Sequence, residues 1–354
     1  MGVNQVIVGD EVKLDLTADT VSEDNLLAGA TAHNAAGEPI EGAVVTVPVD
    51  SELSETSENA IQNKVATAEM YVSDKIHNRI YEGVNLAEKF ADEIAASPYN
   101  GNVWAWIKAR ITAEDFTGIH VGDYIPFTTT NGITFNAQIA GINTYKNYGD
   151  TPVGAHIDFI CKELWGTLHP INKVNYNNGI TNQNHPWLAS DLYLYLNSLS
   201  GGVPNGTAVN PETIEIDYTT DGVYYYLPEA LKNVIIEKRF FLPKRYSASG
   251  LLTDDNQWGW ANIGKLWLPD ECEVYGTPIW GGKSFSAGGS GLQYPLFAGN
   301  MNRVKFRNGS RYHWWLLSPC SADSSNWCFV DYLGGCNSGN ASDGNIAVSV
   351  CFRV

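Results

Sequence analysis

Six cysteines, seven histidines and a few acidic pairs are the residues of this 354-residue sequence that could carry covalent, metal or acid–base chemistry. The cysteines stand at 161, 272, 320, 328, 336 and 351. None forms a Cys-x-x-Cys, and no histidine is paired at zinc-ligand spacing, so neither a metal site nor a cofactor is predicted. Cys320, Cys328 and Cys336 are evenly spaced. They read as small, partly buried thiols, and a disulfide between two of them stays open. The histidines are scattered along the chain, and His313, beside Trp314, reads as a packing or hydrogen-bonding residue rather than a base. A glycanase needs two carboxylates roughly 5 or 6.5–9.5 Å apart. Asp254-Asp255 and Asp270/Glu271/Glu273 are available for that, but as loop residues they read as solvated faces. No Gly-x-Ser-x-Gly, His-Glu-x-x-His or phosphate-binding loop occurs. The sequence therefore predicts a protein that is not an enzyme.

Recognition chemistry fits better, and it lies at the C-terminal end. From Tyr312 to Phe352 there is no Lys, Arg or Glu. Between Cys320 and Ile346, sixteen of twenty-seven residues are Ser, Asn, Gly or Asp, with Trp327, Phe329, Tyr332 and Leu333 set among them. Apolar ends, Trp314 to Leu317 and Val348 to Val354, flank this stretch. Rigid aromatics among small, adaptable hydrogen-bonding residues are the composition of a paratope. A plain covering loop has the same residue types. Structureless connections beyond about 12–15 residues are, however, generally functional or disordered.

The elements that must position this surface follow from composition and pattern. Eleven Trp and eighteen Tyr against three Met predict aromatic packing. A formal charge of −17 repels phosphates and anionic membranes, so nucleic acid is excluded as a partner. No apolar run is long enough for a membrane span, and no secretory signal is read at the start. Residues 1–48 read as a small β-rich module, with strands in VNQVIVGDEVKLDL and AVVTVPV around the turn AGEPIEG. Residues 49–98 read as a linker and an amphipathic helix over 57–96, with Ser57 as N-cap. Its apolar stripe is Ile61, Val65, Ala68, Val72, Ile76, Ile80 and Val84, the first half suiting a coiled-coil seam. Residues 99–354 read as one large α+β domain rich in irregular loops. It is expected to hold a helix at Val103–Thr112, a hairpin over 123–142 turning at Asn131-Gly132, and a helix capped by Ser190. A helix PEALKNVIIEK starting at Pro228 and strands KLWLP and CEVYG are also expected.

Two resemblances add to this. LTADTVSEDNLLAGATAHNAAGEPIEGAV resembles a small module repeated in tail and fibre proteins of bacterial viruses, and VDSELSETSENAIQNKV resembles the segment leading into a trimeric shaft. They imply a homotrimer attached to other virion tail proteins through the N-terminal module, made in the bacterial cytoplasm and placed in the virion tail. HPWLASDLYLYLN, LPEALKNVI, KLWLPDECEVYG, RVKFRNGSRYHWWLLSP and VSVCFRV together resemble a domain of uncharacterised function common in gut bacteria and their phages. That resemblance covers about residues 110–354. It implies a C-type-lectin-like fold of the formylglycine-generating-enzyme-like branch, used as the variable protein of diversity-generating retroelements. There, adenine-directed mutagenesis of Asn codons rewrites the 3′ end of the gene.

On that resemblance Arg311, Tyr312, Asp323, Phe329, Asp331, Tyr332, Leu333, Asn337, Ser338 and Asn340 are variable, ligand-binding positions, within a variable region of about 310–350. Ser321, Ser325, Gly335 and Ile346 are weaker candidates. Trp314, Trp315, Ser318 and Pro319 are fixed scaffold. Cys320 and Cys336 become incidental products of diversification. Sugar-site motifs of calcium lectins are absent, with only faint echoes in Pro269-Asp270-Glu271 and Asn326-Trp327. The expected function is non-catalytic recognition of a host cell-surface protein or glycan. The alternatives are a glycan-active tail-spike enzyme and a purely structural tail component.

Overall fold

A computed structural model describes residues 2–45, 49–50, 60–61, 70–73, 75, 81–181, 184–207, 212–246, 258–281, 292–321 and 323–354. The chain divides into two compact units, Met1–Asp74 and Lys75–Val354.

In the first unit the Val/Ile-rich segment at the start folds as expected into a hairpin of β1 (Gln5–Val8) and β2 (Glu11–Asp15), turning at Gly9 with φ +67°. A second hairpin joins β3 (Thr31–His33) and β4 (Pro39–Glu41), and β5 (Val49–Asp50) pairs in parallel with β6 (Ala60–Ile61). Among the described residues this unit buries no large apolar side chain. Val6, Ile7, Val8, Val12 and Leu14 of the first hairpin are all exposed. A lone two-stranded hairpin is marginal in water, and the described residues of this unit give it no core to rest on.

The helix expected over 57–96 is not continuous. Ile61 belongs to β6, Met70–Ser73 is helical, and residues 81–84 are not. Gly83 at φ +80° passes against the Gly122 carbonyl where a Cβ would collide, and the Val84 N–H donates to the Asp123 carboxylate at 2.9 Å. Asn85 then caps a new short helix, Leu86–Lys89. Ser57, Val65, Ala68, Ile76 and Ile80 lie outside the described residues.

The second unit is α+β. Its helix Val103–Thr112, capped by Asn102, buries Trp104, Trp106, Ile107 and Ile111. The expected hairpin is β7 (Tyr124–Thr128) and β8 (Thr134–Ile142), and β9 (Ile157–Cys161) continues it. Two further hairpins are β10 (Ser200–Pro204) with β11 (Thr213–Asp217), and β12 (Arg239–Pro243) with β13 (Trp258–Asn262). The remaining strands are β14 (Leu266–Trp267), β15 (Lys305–Arg307), β16 (Ser310–Tyr312), β17 (Trp314–Pro319), β18 (Asn326–Val330), β19 (Cys336–Asn340) and β20 (Cys351–Arg353). The main sheet is antiparallel in the order β14-β20-β9-β8-β7. Its centre is pinned by a buried bidentate pair, with Arg353 Nε and Nη2 donating to Asp158 at 2.7 and 2.9 Å. Burial pulls the Asp158 carboxyl up, but the Arg353 guanidinium outweighs it and holds it at about 2.

Ser190 caps the helix Asp191–Asn197, as expected. Two expectations need correction. CEVYG is not a strand but part of the helix Glu271–Tyr275. Asp270 and Glu273 form a capping box there, and Gly276 at φ +78° ends it. The helix begun at Pro228 spans only Glu229–Lys232, because Ile236 leaves to bridge Arg353 of β20.

Candidate ligand-binding surface

The polar C-terminal stretch, whose residue types also suit a plain covering loop, supplies β18 and β19 of a three-stranded antiparallel sheet, and its apolar flank supplies β17. β17 is wholly buried. Trp315 Nε1 donates to the His169 carbonyl at 3.1 Å, and Trp327 Nε1 to the Leu316 carbonyl at 2.8 Å. Trp315 faces Phe329, which faces Asn337, and Trp327 faces Gly339. The scaffold residues Trp314, Trp315, Ser318 and Pro319 are therefore all interior, in β17.

The ten predicted contact positions divide into two groups. At one end of the sheet, Tyr312, Phe329 and Tyr332 gather around His313. The His313 ring lies 5.5 Å from Phe329 and 5.4 Å from Tyr332, both edge-on, and 6.2 Å from Tyr312. Leu333 is exposed beside them, and Arg311 is exposed on β16. Phe329 itself is buried at 8 % exposure, because its ring lies over Gly339 where a Cβ would crowd it. Asp331 is half-buried. Its Oδ1 accepts from the Leu333 and Gly335 N–H groups at 2.8 and 2.9 Å, so it shapes the turn as well as facing outward. At the other end, Asp323 builds the loop before β18 by accepting from the Ser325 N–H and hydroxyl, both at 2.6 Å. Burial pulls its carboxyl up, and those hydrogen bonds outweigh it and hold it below the usual range. Asn337, Ser338 and Asn340 run along β19, with Asn337 and Asn340 exposed and Ser338 half-buried. Of the weaker candidates, Ile346 is buried and faces the core.

Side chains elsewhere hold this surface by its main chain. The buried Asn177 Nδ2 donates to three carbonyls, of Cys320 (3.1 Å), Asp323 (2.6 Å) and Asn326 (2.5 Å). The buried Arg245 guanidinium donates to the carbonyls of Cys320 and Asp323. Tyr275 OH donates to the Gly334 carbonyl at 3.2 Å, and the Trp280 indole to the Cys336 carbonyl at 3.4 Å. None of these contacts depends on which side chain occupies the held position. The sequence reading missed Asn177, Arg245, Tyr275 and Trp280, since nothing local distinguishes them.

Beneath β17 and β19 lies the helix Glu271–Tyr275. Asp270, Glu271 and Glu273 are buried there, which corrects their reading as solvated faces. Asp270 accepts from the Cys272 N–H at 2.8 Å and the Ser318 hydroxyl at 2.6 Å. Burial raises its carboxyl to about 7. Glu271 accepts from the Trp280 and Gly281 N–H groups at 2.9 and 2.8 Å and from the Cys336 thiol at 3.1 Å. Glu273 pairs with the buried Lys238. Asp270, Glu271 and Ser318 line a cleft with Pro243, Pro278 and Pro319. Every oxygen of Asp270 and Glu271 already accepts from a protein donor, an arrangement that fixes the backbone. Asp254 and Asp255 lie outside the described residues. All six cysteines are free thiols, and burial pushes those of Cys328 and Cys336 up, with Glu271 adding to it. Among the described residues no group of His, Cys, Asp and Glu is placed to hold a metal ion, and no helix is long and apolar enough to cross a membrane.

Residues 159–354, from β9 to β20, match the family model described as a domain of unknown function, DUF6273. The chain belongs to the DUF6273 family. The matched span holds the whole three-stranded sheet together with Asn177, Arg245 and the Glu271–Tyr275 helix. No curated protein and no solved structure matches the chain.

Proposed function

We propose that the chain is a receptor-binding protein of phage tail-fibre type, whose DUF6273 domain is a C-type-lectin-like head with a diversified C-terminal surface. The observation that carries this reading is the mode of support. The loops and edge bearing Asp323, Asp331, Tyr332, Leu333, Asn337 and Asn340 are held through carbonyls by Asn177, Arg245, Tyr275 and Trp280. Side chains at Tyr332, Leu333, Asn337 and Asn340 can be exchanged without breaking those contacts, whereas Asp323 and Asp331 also brace their own turns. Exposed Tyr332 and Leu333 supply apolar anchors, and Asn337 and Asn340 supply adaptable hydrogen bonds.

On this reading recognition is non-catalytic, and the ligand is a protein or glycan of a host cell surface. The N-terminal unit attaches the head to other tail proteins, and the uncovered apolar side chains of β1 and β2 suit that role. A trimer joined by the segment before the head would multiply weak single sites through effective concentration. Sequencing the 3′ end of the gene and its flanks tests the reading. The expected result is a near-copy of the region encoding residues 310–350 that differs at adenines, beside a reverse-transcriptase gene. Intact flanks without such a copy would refute diversification as the origin of this surface.

A further inference from the structure

Among the described residues β19 is the free edge of the β17-β18-β19 sheet, and part of its main chain is open. Partners across an antiparallel pair alternate between residues that exchange hydrogen bonds and residues that point away. The Ala341 N–H donates to the Ser325 carbonyl at 2.8 Å and the Asp331 N–H to the Gly335 carbonyl at 2.7 Å, which sets the phase. Gly339 and Asn337 therefore bond inward to Trp327 and Phe329, while Cys336, Ser338 and Asn340 turn their main-chain groups outward. Of these, the Cys336 carbonyl takes the Trp280 indole, the Ser338 N–H meets the Asn337 side chain, and the Asn340 carbonyl takes the Asp343 N–H. The Cys336 N–H, the Ser338 carbonyl and the Asn340 N–H carry no hydrogen bond among the described residues, a donor–acceptor–donor row along one edge.

Natural edges are blunted by Lys, Pro, bulges or covering elements. From Cys336 to Asn340 there is no charge and no proline, and the five-residue register with β18 has no shift. Ser338 and Gly339 are small enough for another backbone to approach. The edge also runs directly into the aromatic group formed by Tyr312, His313, Phe329 and Tyr332.

We propose that the DUF6273 head binds its ligand by strand addition: an extended segment of a partner protein pairs with Cys336–Asn340 along this edge. The inference rests on the reading of the sheet as a recognition surface and names the ligand as protein. Main-chain hydrogen bonds supply attachment that is indifferent to side-chain exchange in β19, and the flanking side chains select the sequence. Charge settles the occupant. Asp331 and Asp343 stand at the two ends of the edge, and no Lys or Arg lies between Tyr312 and Phe352. A neutral or basic segment is favoured. A second copy of this chain, at net charge −17, is disfavoured.

The test uses the full-length protein and a display library of random linear peptides of about ten residues, long enough to span the strand. Enriched peptides are synthesised and N-methylated one position at a time. Strand addition predicts that binding is lost at every second peptide residue and kept at those between. Asn340→Pro removes the outward donor without touching the ladder to β18, and it is expected to weaken the peptide about tenfold more than Asn340→Ala does. No enrichment, an N-methyl profile without alternation, or equal effects of the two Asn340 variants would overturn strand addition. So would concentration-dependent self-association abolished by Asn340→Pro, which would assign the edge to copies of the chain. The gene-flank result is independent of all these. A template copy found without strand-adding peptides would leave the recognition surface standing and remove only this mode of binding.

Discussion

Asn177 is the side chain on which the Cys320–Asn326 loop depends most, and Asn177→Ala is the sharpest perturbation of the head. The Asn177 side chain is fully buried, and its amide bridges three carbonyls that no single main-chain group could reach together. After its removal the Cys320 and Asp323 carbonyls keep Arg245, and the Asn326 carbonyl keeps the Cys320 N–H at 3.1 Å. The loss is therefore two shared hydrogen bonds and a small void, rather than three orphaned carbonyls. At about 1 kcal/mol for each bond, with a further fraction for the void, the head should lose about 2–3 kcal/mol. Asn177→Asp should cost more, because it turns a buried carboxylate toward the same three oxygens. Urea unfolding of the full chain, followed by tryptophan fluorescence, measures both. Amide hydrogen exchange over residues 320–326 should accelerate in the same variants. A loss below about 0.5 kcal/mol, or unchanged exchange in that loop, would refute the claim that the surface hangs from its main chain.

Asp270→Asn tests the buried acid. Its folded value of about 7 lies above the ordinary 3.8, so the unfolded chain ionises first as pH rises. Its contribution to stability is then full below about pH 4 and is lost toward pH 7, with an upper bound of about 4 kcal/mol. The asparagine variant should flatten that slope and exceed the parent in urea titrations at about pH 8; parallel pH curves would refute it. All six thiols are free, and every one but half-buried Cys336 is buried, so a thiol reagent should label Cys161, Cys272, Cys320, Cys328 and Cys351 in the native protein only as fast as it unfolds. Tyr332→Ala should leave stability within about 0.5 kcal/mol, since the ring is 47 % exposed, while weakening ligand capture. Asp158→Asn strands the buried Arg353 guanidinium and should cost about 3–5 kcal/mol in the same titration.

Much of the architecture is written locally. The 103–112 helix has its Asn102 cap, the 124–142 hairpin has its Asn-Gly turn, and the 191–197 helix has Ser190. What failed was set partly by local caps and partly by partners far along the chain. CEVYG alternates like a strand, yet a capping box and a glycine stop outweigh that pattern over so short a run. The 57–96 stripe is helical in period, but Gly83 breaks it from within and the Asp123 carboxylate from outside. β19 was illegible because Asn, Ser and Gly are poor strand formers, and its pairing is imposed by β18, which lies on buried β17. The proposed contact positions could be nominated on a resemblance, whereas their supports could not be nominated at all. Asn177 lies 149 residues from Asn326, and only folding shows that they meet.

The Asp158–Arg353 pair has a kinetic consequence. It closes β20 onto β9 across 195 residues, so the centre of the main sheet is made of highly non-local contacts. Such topologies fold slowly, because loop closure precedes the contacts that reward it. The strands that close, β9, β14 and β20, include none of the proposed contact positions, which all lie in the segment between β14 and β20. If that closure forms the folding nucleus, substitutions at Asp323, Tyr332 or Asn337 should leave the folding rate nearly unchanged and appear in the unfolding rate instead. Every variant of the surface would then reach the native state on the same schedule and differ only in how long it stays there.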